Sequence, residues 1–197
     1  MKKYILTLKI ISQNIINYGI QVSDDTILRI NLAWCSSVKQ LKAILEVHKN
    51  NSIFLDLPIK RIKPPNNKYT LDDLIQVISS YNQIKYFAIS NVESPDDLND
   101  YIQKIPPNII LVPKIESPIA IENISDIVNV LPANEKILML DHDDLFSAII
   151  KNNESADVFK KYIQQLMDYC NSNKIILLRT IGVIFSDEEK RISEYIK

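Results

Sequence analysis

Apolar residues along this chain of 197 residues fall into short continuous runs that are separated by longer amphipathic segments. A short apolar run is typical of a strand buried on both faces, and apolar residues three and four positions apart are typical of a helix with one buried face. The runs predict seven strands, at residues 4–11, 24–32, 52–57, 84–90, 108–113, 136–140 and 174–185.

Helical spacing follows most of these strands. It predicts helices over residues 37–50, 70–81, 118–128, 155–171 and 187–197, with Thr70 as an N-terminal cap and a further cap at Ser94. Strands that alternate with helices favour an α/β fold with a parallel sheet. We expect a single domain over residues 1–197, a parallel (β/α) TIM-like barrel that is compact or incomplete.

The number of predicted strand and helix units indicates that the barrel is compact or incomplete. About seven βα units are predicted, whereas a closed eightfold barrel typically needs about 250 residues. Two alternatives remain open. Either the barrel is truncated, or a second subunit of a homo-oligomer covers an edge, because open hydrophobic edges invite pairing.

Composition and charge exclude several classes of protein. A formal net charge of −1 gives no general field for nucleic acid or for an anionic membrane, and no apolar run is long enough to span a bilayer. Cys35 and Cys170 are far apart and lack metal-binding spacing, which indicates a reduced, cytoplasmic setting. With glycine only at 19 and 182, no Walker or dinucleotide-binding pattern exists.

Candidate chemistry is concentrated in residues 113–145, where two consecutive predicted strands end in charged residues. Lys114 and Glu116 leave the first strand, and an acidic loop with Asp144 follows the second. The carboxyl ends of parallel strands share one edge, where ligands bind. In the loop, His142 is either a general base near neutral pH or a solvated histidine.

The same stretch resembles the phosphoenolpyruvate/pyruvate superfamily of barrel enzymes, and pyruvate kinase most closely. The similarity rests on KIE at 114–116, on NISDI at 123–127 and on HDDL at 142–145. These segments are also similar to the metal-dependent pyruvate aldolases and to the citrate lyase β-subunit. The resemblance implies that Glu116 and Asp144 hold Mg²⁺ or Mn²⁺, the alternative being ordinary solvated acids.

Weaker matches lie on other strands. Arg29 and Asn31 fall on a strand-two motif of the kinase, Asp56 on a strand-three acid and Ser90 on a strand-four serine. The resemblance implies that these four residues bind substrate. Arg29 is suited to a bidentate grip on a carboxylate or phosphate, or else to an ion pair with Asp56 or Glu116.

Departures from the kinase pattern are as informative as the matches. We expect neither the kinase lid domain nor its carboxy-terminal domain here, and Ala33, Trp34 and Asp143 replace motif residues. Phosphoryl transfer needs two substrates held in line and shielded from water, so we do not expect pyruvate kinase activity.

Two functions remain. The first is a magnesium- or manganese-dependent enzyme, a carbon–carbon lyase or aldolase, acting on pyruvate, phosphoenolpyruvate or a related 2-oxo acid through an enolate. Lys114 and Arg29 would be its catalytic residues, with Lys114 beside the enolate oxygen or merely paired with an acid. The alternative is a degenerate pyruvate kinase-like barrel without turnover that serves as a binding or regulatory module.

Overall fold

The structure is a computed structural model that describes residues 10–12, 24–61, 64–132 and 135–179. Three predictions lie wholly or partly outside these residues: the beginning of the first strand, the end of the seventh and the terminal helix at 187–197. Within the described ranges, no helix is both long and apolar enough to cross a membrane.

Every predicted strand segment overlaps a strand, although the fifth strand extends two residues beyond its predicted end at residue 113. The seven are β1 (Ile10–Ser12), β2 (Ile27–Asn31), β3 (Ser52–Leu57), β4 (Ile84–Ile89), β5 (Ile110–Ile115), β6 (Ile137–Leu140) and β7 (Ile176–Arg179). Most residues of β2, β3, β5 and β6 are buried, as continuous apolar runs predict. The expected alternation of strands and helices, and thus the α/β class, is confirmed.

The chain divides into two compact units. The first comprises residues 1–87 and 105–109. In it β1, β2 and β3 pair in parallel, and the second pairing sets Arg29 beside Phe54 and Asn31 beside Asp56. Its helices are α1 (Val38–Val47) and α2 (Leu71–Ser80), and the predicted cap Thr70 begins α2 in a reciprocal capping box with Asp73.

The second unit comprises residues 88–104 and 110–197, so β4 begins in one unit and ends in the other. In the second unit β5, β6 and β7 pair in parallel, with Lys114 beside Met139 and Leu140 beside Arg179. Its helices are α3 (Asn99–Lys104), α4 (Pro118–Glu122), α5 (Ile124–Val130), α6 (His142–Lys151) and α7 (Val158–Ser172).

Barrel closure is the part of the predicted fold class that needs correction. The sheet runs in chain order and ends at β1 and at β7, which are not neighbours among the described residues. A closed barrel of seven units is therefore not formed by the described strands. Hydrophobic periodicity identifies strands, whereas closure needs a pairing between distant ends that local pattern does not encode.

Two helical predictions also differ from the structure. The helix expected over 118–128 is two short helices, because Asn123 ends α4 and begins α5, and its side-chain amide donates to the Glu93 carbonyl at 2.9 Å. The expected acidic loop after β6 is the first turn of α6, which Asp141 caps.

Candidate functional site

The ends of β5 and β6 place three carboxylates in the second unit. Glu116 follows the last residue of β5, and Asp141 follows the last residue of β6. Because the two strands are parallel neighbours, both side chains leave the sheet at the same edge. Asp144 lies in the first turn of α6, three residues beyond Asp141.

These carboxylates converge. One oxygen from each of Glu116, Asp141 and Asp144 lies within 4.8 Å of the other two, and we call these three residues the acid cluster. Glu116 is buried, whereas Asp141 and Asp144 are partly exposed. Oxygen ligands with this spacing suit a hard divalent cation such as Mg²⁺ or Mn²⁺.

Lys114 supplies a positive charge beside the acid cluster. Its Nζ lies 2.6 Å from Glu116 Oε1 and 3.8 Å from Asp141 Oδ2, and it donates a hydrogen bond to Ser90 Oγ at 3.1 Å. Lys114 lies in β5 and Glu116 directly follows the strand, and their two-residue spacing places both side chains on one face, as expected. The structure thus brings Lys114, Ser90, Glu116 and Asp144 together, while their roles stay predictions.

The environment of Glu116 raises the pKa of its carboxyl group overall. Burial raises the pKa of this carboxyl above its ordinary value, and the nearby charge of Asp141 raises it further. The Lys114 ammonium opposes this shift, as does the backbone N–H of Asn91, which donates to Glu116 Oε2 at 2.6 Å. A divalent cation would add to the groups that favour the charged carboxylate.

Asp141 is the member of the acid cluster that sequence reasoning missed. Its carboxylate also accepts a hydrogen bond from the Asp144 backbone N–H at 3.4 Å, which makes it the N-cap of α6. An aspartate directly after a buried strand and three residues before another acid is the signal that could have identified it.

Arg29, Asn31 and Asp56 belong to the first unit. Arg29 Nε donates to Asp56 Oδ2 at 3.0 Å, and a terminal guanidinium nitrogen contacts the same oxygen, so the ion pair considered for Arg29 is present. Asn31 Oδ1 accepts from the Ala33 backbone N–H at 3.0 Å. Substrate binding by these three residues stays a prediction.

His142 is not the solvated loop histidine considered from the sequence. It is 2% exposed and begins α6, and its ring packs edge-on against Phe159 with centroids 6.4 Å apart. Its Nε2 accepts a hydrogen bond from Arg179 Nε at 3.3 Å. Helix formation explains the difference, because the first turn of α6 draws this side chain into the core.

Comparison with known proteins shows a shared fold. The structure of RipC from Yersinia pestis matches with a TM-score of 0.60 and 13% sequence identity, covering 94% of this chain and 83% of RipC. No model of a protein family matches the chain, and no curated protein does so either. At this identity the likeness to RipC shows the fold alone.

These comparisons correct the family assignment. Membership of the pyruvate kinase-like phosphoenolpyruvate/pyruvate superfamily was predicted from three short segments, and it is wrong: no model of that superfamily matches, and the structural match is to RipC. Each segment spans only three to five residues. A buried strand that ends in charged residues recurs in parallel α/β proteins, because their ligand sites lie at those ends.

Proposed function

We propose that the acid cluster binds a divalent cation and that the chain is a magnesium- or manganese-dependent enzyme. Its substrate would be a small 2-oxo acid such as pyruvate, and its reaction a carbon–carbon cleavage or aldol addition through an enolate. The observation that carries the proposal is the convergence of Glu116, Asp141 and Asp144 to within 4.8 Å of one another.

The donor set fits the cation. Three carboxylates offer hard oxygen ligands from two strand ends and one helical turn, so their positions are fixed by the fold. Glu116 Oε1 is buried, and its described partner is the Lys114 ammonium at 2.6 Å. When bound, the cation would supply positive charge to the carboxylate and keto oxygens of a 2-oxo acid.

Lys114 is the residue that we assign to the enolate oxygen. A fixed ammonium stabilises negative charge that develops on oxygen, and it does so more strongly where water is excluded. Lys114 is 5% exposed, and its hydrogen bond to Ser90 Oγ limits the positions of its Nζ. Ser90 is therefore a positioning residue in this proposal, and no general base is assigned.

One observation favours the alternative, a binding or regulatory module without turnover. The Lys114 ammonium already lies 2.6 Å from Glu116 and 3.8 Å from Asp141, so the acid cluster has a cation of its own. In that case the buried pair would be structural, and divalent cations would bind weakly.

We also place the protein in the cytoplasm. Cys35 and Cys170 are free and buried thiols, and burial raises the pKa of Cys170 to about 11. Free thiols that stay protonated are in keeping with a reducing compartment.

The test is proton exchange at the substrate. The purified chain is incubated with pyruvate and Mg²⁺ in D₂O, and deuterium in the methyl group is followed by NMR and mass spectrometry. We expect exchange that depends on the metal and is lost in Glu116→Gln and in Lys114→Ala. Glu122→Gln is the matched control, because Glu122 is an exposed carboxylate on α4.

Manganese affinity, measured by isothermal titration calorimetry, separates the two functions. Glu116→Gln should weaken Mn²⁺ binding by about tenfold or more, while Ser90→Ala should slow exchange and leave Mn²⁺ affinity unchanged. Weak Mn²⁺ binding without exchange of pyruvate would favour the module. Exchange no faster than with free Mg²⁺, together with an unaltered Mn²⁺ affinity in Glu116→Gln, would overturn the proposal.

A further inference from the structure

A second candidate site lies in the first unit, at the carboxyl end of β3. The strand ends at Leu57, and the residues that follow it line a cleft of about 290 Å³. Ligands of parallel α/β proteins bind outside the carboxyl ends of the strands. The cleft involves no residue of the acid cluster, and its function does not depend on the proposal above.

Among the described residues that line this cleft, all the charged ones are positive. Lys60, Arg61 and Lys68 line it, and the other lining residues are uncharged. This concentration is local, because the whole chain has a formal net charge of −1. Asp72 and Asp73 of the following helix are not among the lining residues, and Asp73 accepts hydrogen bonds from the backbone and hydroxyl of Thr70. Three cations around a small volume favour a compact anion with more than one negative charge.

Hydrogen bonds fix the segment that lines the cleft. The side-chain amide of Asn67 donates to the Ala33 carbonyl at 2.8 Å, and the Tyr69 hydroxyl donates to the Cys35 carbonyl at 2.5 Å. In the same segment, Arg61 Nε donates to the Pro65 carbonyl at 2.8 Å. A wall fixed before the ligand arrives lowers the ordering cost of binding.

Two further features of the lining point to a ligand. Lys60 has a φ of 58°, a left-handed conformation that costs free energy for a residue with a Cβ atom, and such conformations are concentrated at functional sites. Tyr69 offers an aromatic ring beside the cations. Burial raises the pKa of Tyr69 above its ordinary value, so its phenol stays neutral and does not repel an anion.

We propose that this cleft binds a phosphate monoester whose organic part is a ring. The phosphate would lie among Lys60, Arg61 and Lys68, and the ring would pack against Tyr69. Arginine and lysine are the side chains that hold phosphate oxygens through charge-assisted hydrogen bonds, and aromatic rings pair through offset or edge-to-face contact.

Two probes that differ only by a ring test the proposal. Binding of inorganic phosphate and of phenyl phosphate to the full chain is measured by isothermal titration calorimetry at low ionic strength. We expect phenyl phosphate to bind more tightly, and both affinities to fall as salt is added. The variant Lys60→Gln, Arg61→Gln, Lys68→Gln should lose about tenfold or more of both affinities.

The matched control removes three other exposed lysines from the same unit. Lys39→Gln, Lys42→Gln, Lys49→Gln changes the net charge equally, and it should leave both affinities within about twofold. Tyr69→Leu should lower the phenyl phosphate affinity to that of inorganic phosphate. Circular dichroism verifies folding, and Lys60→Gln, Lys68→Gln replaces the triple variant if Arg61 proves necessary for folding.

Three results would overturn the proposal. The first is the absence of measurable binding of either probe at millimolar concentration. The second is an equal loss in the cleft variant and in the control variant, which would mean attraction to the overall charge. The third is an unchanged phenyl phosphate affinity in Tyr69→Leu, which would remove the ring from the ligand.

Discussion

Glu116 is a carboxylate almost withdrawn from water, with 4% of its surface exposed. The Lys114 ammonium contacts one of its carboxylate oxygens, and the Asn91 backbone N–H donates to the other. Desolvation nevertheless dominates, and the pKa of Glu116 is raised. A buried carboxyl with this balance should respond both to pH and to an added cation.

Stability should therefore fall as pH rises through the titration of Glu116. An unfolded glutamate titrates near pH 4.3, and the folded pKa lies higher, so the folded state binds more protons in that window. The contribution is fully present below about pH 4.3 and is lost as pH passes the raised pKa. Glu116→Gln lacks this titrating group. The free energy of unfolding of the variant, relative to that of the wild type, should therefore increase as pH rises.

Urea unfolding between pH 4 and pH 8, with a chelator present, measures this difference. Glu122→Gln, at an exposed position, should show no such trend relative to the wild type. A constant difference between Glu116→Gln and the wild type, or one of opposite slope, would contradict the assigned pKa direction.

Side-chain placement was predictable where it depended on a fixed period. Lys114 lies in β5 and Glu116 directly follows it, two residues further on, so their shared face followed from the sequence. Asp141 was missed because its position depends on where α6 begins. Four polar residues at 141–144 suggested a loop, while Leu145 and Ile149, both buried, carried the helical spacing.

Caps and strands were the most predictable elements. The capping boxes that begin at Thr70 and Ser94 each involve residues only three positions apart, so the local sequence specifies them. The break at Asn123 was not predictable, because it depends on a hydrogen bond to the Glu93 carbonyl, thirty residues away in the sequence.

Asp141 has two roles that substitution can separate. Asn is a good N-cap, so Asp141→Asn should retain most of the stability, whereas Asp141→Ala should lose about 1 kcal/mol. Both variants remove a carboxylate from the acid cluster, so both should bind Mn²⁺ more weakly.

Urea unfolding with a chelator and calorimetric Mn²⁺ titration provide the two measurements. Thr70→Ala is the control, because it removes a cap from the first unit and should leave Mn²⁺ affinity unchanged. Unaltered Mn²⁺ binding in Asp141→Asn would restrict Asp141 to its capping role.

The fold class of the molecule was encoded in its alternation of buried strands and helices. RipC has the same fold at 13% identity, which shows how little side-chain identity such an architecture requires. Family membership is a different matter, since it was inferred from a few residues around Glu116 and Asp144. Charged residues at the end of a buried strand occur in many unrelated proteins, so they do not identify a family.

Cation binding should be visible in the stability of the whole chain. A cation that binds only the folded state stabilises it by about 2.7 kcal/mol at one hundred times Kd. For a chain of about 150–250 residues this corresponds to a rise in Tm of roughly 5–10 °C.

Differential scanning calorimetry with and without Mn²⁺ measures the shift. Glu116→Gln should show little rise at the same Mn²⁺ concentration. An equal rise in that variant would mean that Mn²⁺ stabilises the chain at another place.

The buried pair of Lys114 and Glu116 also implies a trade-off between stability and cation binding. Removing one partner leaves a buried charge without compensation and should lower the free energy of unfolding by about 3–5 kcal/mol. Replacing both partners by apolar residues of similar volume is often neutral, or stabilising by about 1–4 kcal/mol. We expect Lys114→Met, Glu116→Leu to unfold at a higher urea concentration than the wild type while losing Mn²⁺ binding. An engineer seeking a durable scaffold and one seeking a catalyst would then choose opposite residues at the same two positions.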